Sequence, residues 1–257
     1  MPLQTPARPR TPQAPELALP PPFTAVRLRE LGDAFAHATS IAAAQGAGTL
    51  VHVGRFDLSE FAVVLEPEEP LRQARRAFYA GMVALADALA ANAQPETSIA
   101  IGWPDSILVN DGLVGGGRLA WPQGIKEDET PPWLVFGAMV RTVSMTGVEP
   151  GLNPLVTALE EEGFTDVLSS QLVESFARHF MATIDSWHEG GFAAVAESYL
   201  ARLPAEKGLR RDIDENGDLM VRRMGQGKAE PEVERKALLP QFAKSAWLDP
   251  TTRGPRA

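Results

Sequence analysis

The stretch from Ile101 to Trp121, IGWPDSILVNDGLVGGGRLAW, decides how this chain is read. Apolar and β-branched residues alternate on both sides of Asn110-Asp111-Gly112, a composition suited to a primed two-residue turn, so the segment from Ile99 to Trp121 reads as a β-hairpin. Gly115, Gly116 and Gly117 then fall where a strand would ordinarily carry side chains. Glycines inside a strand mark a bulge or the close approach of a ligand or another backbone, so something is expected to lie against this hairpin unless the run only bends the sheet. Trp103-Pro104-Asp105 stands at its opposite end.

Working outward toward the N-terminus, Leu71, Ala74, Phe78, Met82, Leu85 and Leu89 recur at three- and four-residue steps, which predicts an amphipathic helix over one face of a sheet. Before it, Thr49 to Val53 and Phe61 to Leu65 read as adjacent strands joined by GRFDLSE, and residues 27 to 44 as an alanine-rich helix stopped at Gly46. Residues 1 to 22 hold eight prolines and three charges, which predicts a disordered, proline-rich leader. Strand alternation leaves open whether His52 faces a pocket, and the four histidines show no metal-binding spacing.

Toward the C-terminus, Trp133 to Val143 reads as a strand, and two helices follow, one lined by Val173, Phe176, Phe180, Ile184 and Trp187, the other by Phe192, Val195, Tyr199, Leu200 and Leu203. After Pro204, a hairpin turning at Glu215-Asn216-Gly217 opens a small β-rich region with a flexible end from Thr251. The expected fold is therefore α+β: a mixed β-sheet flanked by helices over residues 23–204, then a small SH3-like appendage over 205–257.

Charge and composition narrow the function. There are 24 Lys and Arg against 33 Asp and Glu, a net charge of −9 with no basic stripe, so no nucleic-acid partner is expected. The absence of cysteine removes disulfides, thiolate metal sites and a cysteine nucleophile. No run of about 18 apolar residues occurs, so no membrane span is expected and the chain is placed in the cytoplasm.

The hairpin text GWPDSILVNDGLVGGGRL resembles the signature KWPNDILVNGKKVGGIL of the biotin and lipoate protein ligases, and the order of elements is similar to that family over roughly residues 23 to 225. The resemblance implies a ligase that binds biotin, lipoate or a related acyl group, forms its adenylate with ATP and Mg2+, and passes the acyl group to a lysine of a carrier domain. It places Asp105 and Arg118 in catalytic positions, Asp105 also as a candidate magnesium ligand, and Arg55, Trp103, Pro104, Gly115, Gly116 and Gly117 against the ligand. The departures are specific. Gly102 stands where active ligases have lysine, Asp105-Ser106 replaces asparagine-aspartate, and the lysine that contacts the reacting carbonyl and phosphate aligns with Leu113. The GRGRxG loop is reduced to GRFDLSE, keeping only Arg55. Adenylation brings two anions together, so cations are needed; Arg55, Arg118 and Arg141 are the replacements on offer. If they do not serve, the alternative is an inactive, ligase-like binding or regulatory protein. Occupation of the pocket by the chain's own side chains would point to a scaffold used without a ligand.

Overall fold

The computed structural model describes residues 16–145, 155–164, 167–223 and 232–256. A seven-stranded mixed sheet carries the molecule. Its first strand, β1 (Thr24–Leu28), crosses through helix α1 (Ala34–Gln45) to β2 (Thr49–Val53), which pairs with it in parallel. β3 (Leu58–Leu65) runs antiparallel to β2, and after helices α2 (Leu71–Ala74) and α3 (Ala77–Ala90) the chain builds β4 (Ile99–Gly102), β5 (Ser106–Val109), β6 (Gly112–Ala120) and β7 (Leu134–Arg141). β7 slots between β3 and β6, giving the order β1-β2-β3-β7-β6-β5-β4. Helices α4 (Ser169–Gly190) and α5 (Phe192–Leu200) follow, then β8 (Leu209–Ile213), β9 (Leu219–Arg223) and β10 (Glu232–Lys236) form a three-stranded antiparallel sheet.

The two faces of the large sheet are covered differently. α3 lies in the middle of the main core, buried on nearly every side. Gly81 permits this, since a Cβ there would sit 2.4 Å from the Phe136 ring. α4 presents Leu172, Val173, Phe176 and Phe180 inward, and Phe176 stacks on Phe136 with centroids 5.8 Å apart while touching Phe61 at 4.5 Å. On the other face α1 packs its alanines against Val51, Val53, Ala62, Val64 and Val135. α1 reaches only part of that face, and the β3, β7 and β6 ends beyond it are where the site is built.

Three expectations need correction. The helix expected over 27–44 is strand β1 followed by α1, because β1 hydrogen-bonds alongside β2 and Asp33 caps the helix by accepting the Ala36 N–H at 2.8 Å. The hairpin is three strands: Trp103-Pro104-Asp105 is itself the turn between β4 and β5, while Asn110 and Asp111 (φ 46° and 67°) make the second turn as expected. The strand beginning at Trp133 runs instead from Leu134 to Arg141, and the Thr142 N–H leaves the ladder for the Asp57 carbonyl.

The small sheet is held to the core through its first turn. The Tyr79 hydroxyl donates to the Gly217 carbonyl at 2.6 Å, and Arg75 Nε donates to the Asn216 carbonyl at 3.1 Å. Strand β10 was not foreseen. Residues 1–15 of the expected leader lie outside the described residues; Leu17 and Leu19 pack against the main core, with the Ala18 N–H bonded to Glu174.

Candidate functional site

Cross-strand register places Gly116, Arg118 and Arg141, three of the residues singled out from the sequence, on one face. Ser106, Gly116, Met139 and Glu60 are direct neighbours across β5, β6, β7 and β3, and the next row holds Arg118, Gly137 and Ala62. Because side chains alternate along a strand, Gly116, Arg118, Met139, Arg141, Leu58 and Glu60 all point to the α1 side of the sheet. Gly115 and Gly117 face the other way or into the backbone: a Cβ at Gly115 would lie 1.9 Å from the Met139 carbonyl, and one at Gly117 2.6 Å from Met82 Sδ. β5 and β6 also shift register between Ile107 and Leu108, so the glycine run sits at a bulge.

What approaches Gly116 is the protein's own tryptophan. A Cβ there would lie 2.0 Å from the Asp105 carbonyl and 2.4 Å from Trp247 Cδ1. Trp247 is fully buried, donates its indole N–H to the Gly117 carbonyl at 3.1 Å, and forms a small apolar cluster with Leu58 and Met139. Residues after Thr251, expected as a flexible end, close a loop with it, through a Leu248–Pro255 bridge and an Arg256 N–H bonded to the Trp247 carbonyl at 2.7 Å.

Asp105 is enclosed by the same segment. Only 3% exposed, its carboxylate accepts the Ala246 N–H at 3.3 Å and the Ser106 hydroxyl at 3.4 Å, and burial pushes its carboxyl up to about 6. A magnesium ligand needs open oxygens and companions. Among the described residues no group of three or more acidic or histidine side chains could hold a metal ion.

The arginines are each engaged. Arg55, in the loop between β2 and β3, forms a bidentate pair with Asp57 at 2.8 and 2.5 Å, which raises its own proton affinity and lowers that of Asp57. Arg118 reaches Asp33 at 3.3 Å, with its guanidinium carbon 4.1 Å from the Phe35 ring centroid. Arg141 donates to the carbonyls of Pro255 and Arg256 at 2.7 and 2.9 Å. Leu113 packs beside the Trp247 cluster. The residues present therefore do not fit a nucleotide triphosphate with its metal in this arrangement: each of these guanidinium groups already has a partner, only the buried Arg118 Nε being left without one, and the carboxylate is covered.

Two further residues belong to this face. Glu60, 3% exposed in a largely apolar strand, accepts the Ala34 N–H at the start of α1 at 2.7 Å; burial, then the charge of Asp33, raises its carboxyl above the usual range, against opposing pulls from that hydrogen bond and from Arg118 and Arg55. Asp33 caps α1 while pairing with Arg118. A glutamate interrupting LSEFAVV was the available signal for Glu60. Trp103 and Pro104 lie elsewhere, under α5: the Tyr199 hydroxyl donates to the Pro104 carbonyl at 2.7 Å, and Trp103 lines a cavity of about 250 Å3 against the small sheet. His52 pairs in register with Phe61 and so faces the helical core, where burial, then Arg27, lowers its pKa.

The family model for the biotin/lipoate A/B protein ligases matches residues 19–201. The chain belongs to that family. The biotin–[acetyl-CoA-carboxylase] ligase of Paracoccus denitrificans is 29% identical over 186 residues, covering 62% of this chain and 72% of that one. A biotin protein ligase-like protein of unknown function from Silicibacter sp. TM1040 superposes with a TM-score of 0.70 at 26% identity, over 85% of this chain and 96% of that chain. The biotin protein ligase of Aquifex aeolicus shares the fold, with a TM-score of 0.61 at 13% identity over 83% and 100%. This ligase-family chain carries its mixed sheet between helices, and among its described residues no helix is long and apolar enough to cross a membrane.

Proposed function

We propose that this protein is a binding or regulatory member of the ligase family, built on the acyl-pocket scaffold but not forming an acyl adenylate. One observation carries the reading: Arg55, Arg118 and Arg141, the three cations that could replace the lost lysines, are bound to Asp57, Asp33 and the C-terminal carbonyls respectively. Charge developing on an acyl phosphate needs preorganised, unspent donors, and an arginine already paired with a carboxylate, as Arg55 and Arg118 are, offers little further stabilisation, while Arg141 is taken up by backbone carbonyls. Leu113 offers none. The ligand class is an acyl group of the biotin or lipoate type.

The match to the Paracoccus biotin ligase favours a second reading, in which ATP and Mg2+ are used and the acyl group passes to a carrier-domain lysine. Pyrophosphate exchange into ATP, run with biotin, lipoate, octanoate and short-chain acids, separates the two. The folded protein is expected to be silent with every acid. Exchange with any of them, abolished by Arg55→Ala, would establish the ligase instead.

A further inference from the structure

The last residues of the chain form a strap that is tied to itself and to the site. Within it, Leu248 bridges Pro255, the Asp249 N–H donates to the Gly254 carbonyl at 2.9 Å, and Arg256 Nε donates to the Ala246 carbonyl at 2.8 Å. To the sheet it is attached at three places: Trp247 on Gly116 and Gly117, Ala246 on Asp105, and the Pro255 and Arg256 carbonyls on Arg141. Its apolar contact is the small cluster of Leu58, Met139 and Trp247, separate from the two larger cores. A few hydrogen bonds and two buried residues, Trp247 and Pro255, hold this unit, which is the kind of local attachment that can open without unfolding the sheet.

Lifting the strap would change the chemistry of the face. Leu58 and Met139 would floor an apolar slot beside Gly116, which has no side chain to fill it. The Gly117 carbonyl would lose its indole donor, and Arg141 would lose two of its acceptors. An acceptor, an apolar floor and a guanidinium left with only its long 3.4 Å bond to the Thr157 carbonyl suit a ring bearing an N–H and, at the other end, a carboxylate. Trp247 fills the first two of these requirements itself.

We infer that the C-terminal strap is an internal occupant of the binding site, and that a ring-bearing carboxylic acid binds only when Trp247 has withdrawn and Arg141 is free. This rests on the reading of the hairpin face as the acyl pocket, and it deepens that reading by naming what closes it.

The test uses the full chain, Arg256→Ala in the full chain, and a chain ending at Lys244, each titrated calorimetrically with biotin and with lipoic acid. Arg256→Ala loosens the strap while leaving Trp247 and Arg141 in place, so it keeps the test alive if the shortened chain does not fold. If the open form is a minor species in the intact protein, at about 10% or less, removing the strap tightens binding of biotin, whose ring carries the N–H, about tenfold or more, with Arg256→Ala moving the same way, and tightens lipoic acid, whose ring carries none, less. Adding Arg141→Ala to the loosened protein should reverse the gain. Equal affinity in intact and loosened proteins, or binding by none of them, overturns the inference. A second readout needs no ligand: the Asp249, Arg253 and Arg256 amides should exchange with deuterium before those of β6 and β7, and exchange only on global unfolding would overturn it too. Pyrophosphate exchange gained by the loosened protein would sink the non-ligase reading and leave the strap standing.

Discussion

Arg118 of β6 and Asp33, the N-cap of α1, are 85 positions apart in sequence and meet at 3.3 Å. Asp33 also accepts the Ala36 N–H, and Arg118 lies over Phe35, so the pair fixes the helix entry on the sheet. Removing the guanidinium leaves Asp33 and the buried Glu60 with less opposing charge. Both partners retain some solvent contact, so the cost is below that of a fully buried pair. Arg118→Ala is expected to lower stability by about 2 kcal/mol, read from urea unfolding midpoints.

Gly116 tests how closely the sheet is packed beneath Trp247. A Cβ added there meets the Asp105 backbone carbonyl at 2.0 Å, and a carbonyl cannot rotate away as a flexible side chain can. Gly116→Ala is expected to cost about 3 kcal/mol through overpacking. Gly124 is the contrast: its φ of +84° strains any other residue, but nothing lies within 4 Å of an added Cβ. Gly124→Ala should cost only about 1 kcal/mol, so equal melting temperatures for the two variants would refute the packing argument.

The hairpin was legible because its signals are local. Asn110 and Asp111 specify the turn, and the periodicity of α3 and α4 survives in Phe78, Met82, Phe176 and Phe180. The start of α1 was misplaced because Arg27 and Leu28 suit a helix as well as a strand, and only pairing with β2 selects the strand. The glycine run signalled a close approach without saying by what. Trp247 stands 130 positions from Gly117 in a polar segment with no periodicity, so long-range packing alone brings them together. Its one available signal was a tryptophan with no helix or strand to belong to.

Asp105 gives a pH dependence whose sign follows from its burial. Its carboxyl is raised from the ordinary 3.8 to about 6, so the folded protein holds that proton more tightly than the unfolded chain. The stabilisation from protonation is fully present below about 4 and is lost as pH rises through about 6, a total on the order of 3 kcal/mol. Asp57, lowered by Arg55, works in the opposite sense and loses its contribution as pH falls, so the two must be separated by a variant. Asp105→Asn is the comparison. Its stability relative to the parent should increase between pH 4 and pH 7, measured by urea midpoints at each pH, whereas a constant difference would place Asp105 in a solvated site.

The small sheet and the core are joined by a contact that is buried and directional. Tyr79 sits on α3 with its ring against Tyr199 at 4.5 Å and its hydroxyl on the Gly217 carbonyl at 2.6 Å, while burial raises its proton affinity far enough to keep it a donor. Gly217 has φ +83°, so the turn that presents this carbonyl depends on glycine. Tyr79→Phe keeps the ring and deletes only the donor, leaving a buried carbonyl unpaired, which costs about 1 to 3 kcal/mol. Because β9 leads from this turn toward the segment that carries Trp247, the loss should be felt in the small sheet first. Hydrogen exchange should show β8 and β9 amides losing protection while those of β3 and β7 keep theirs; an even loss across both sheets would mean that they unfold as one unit.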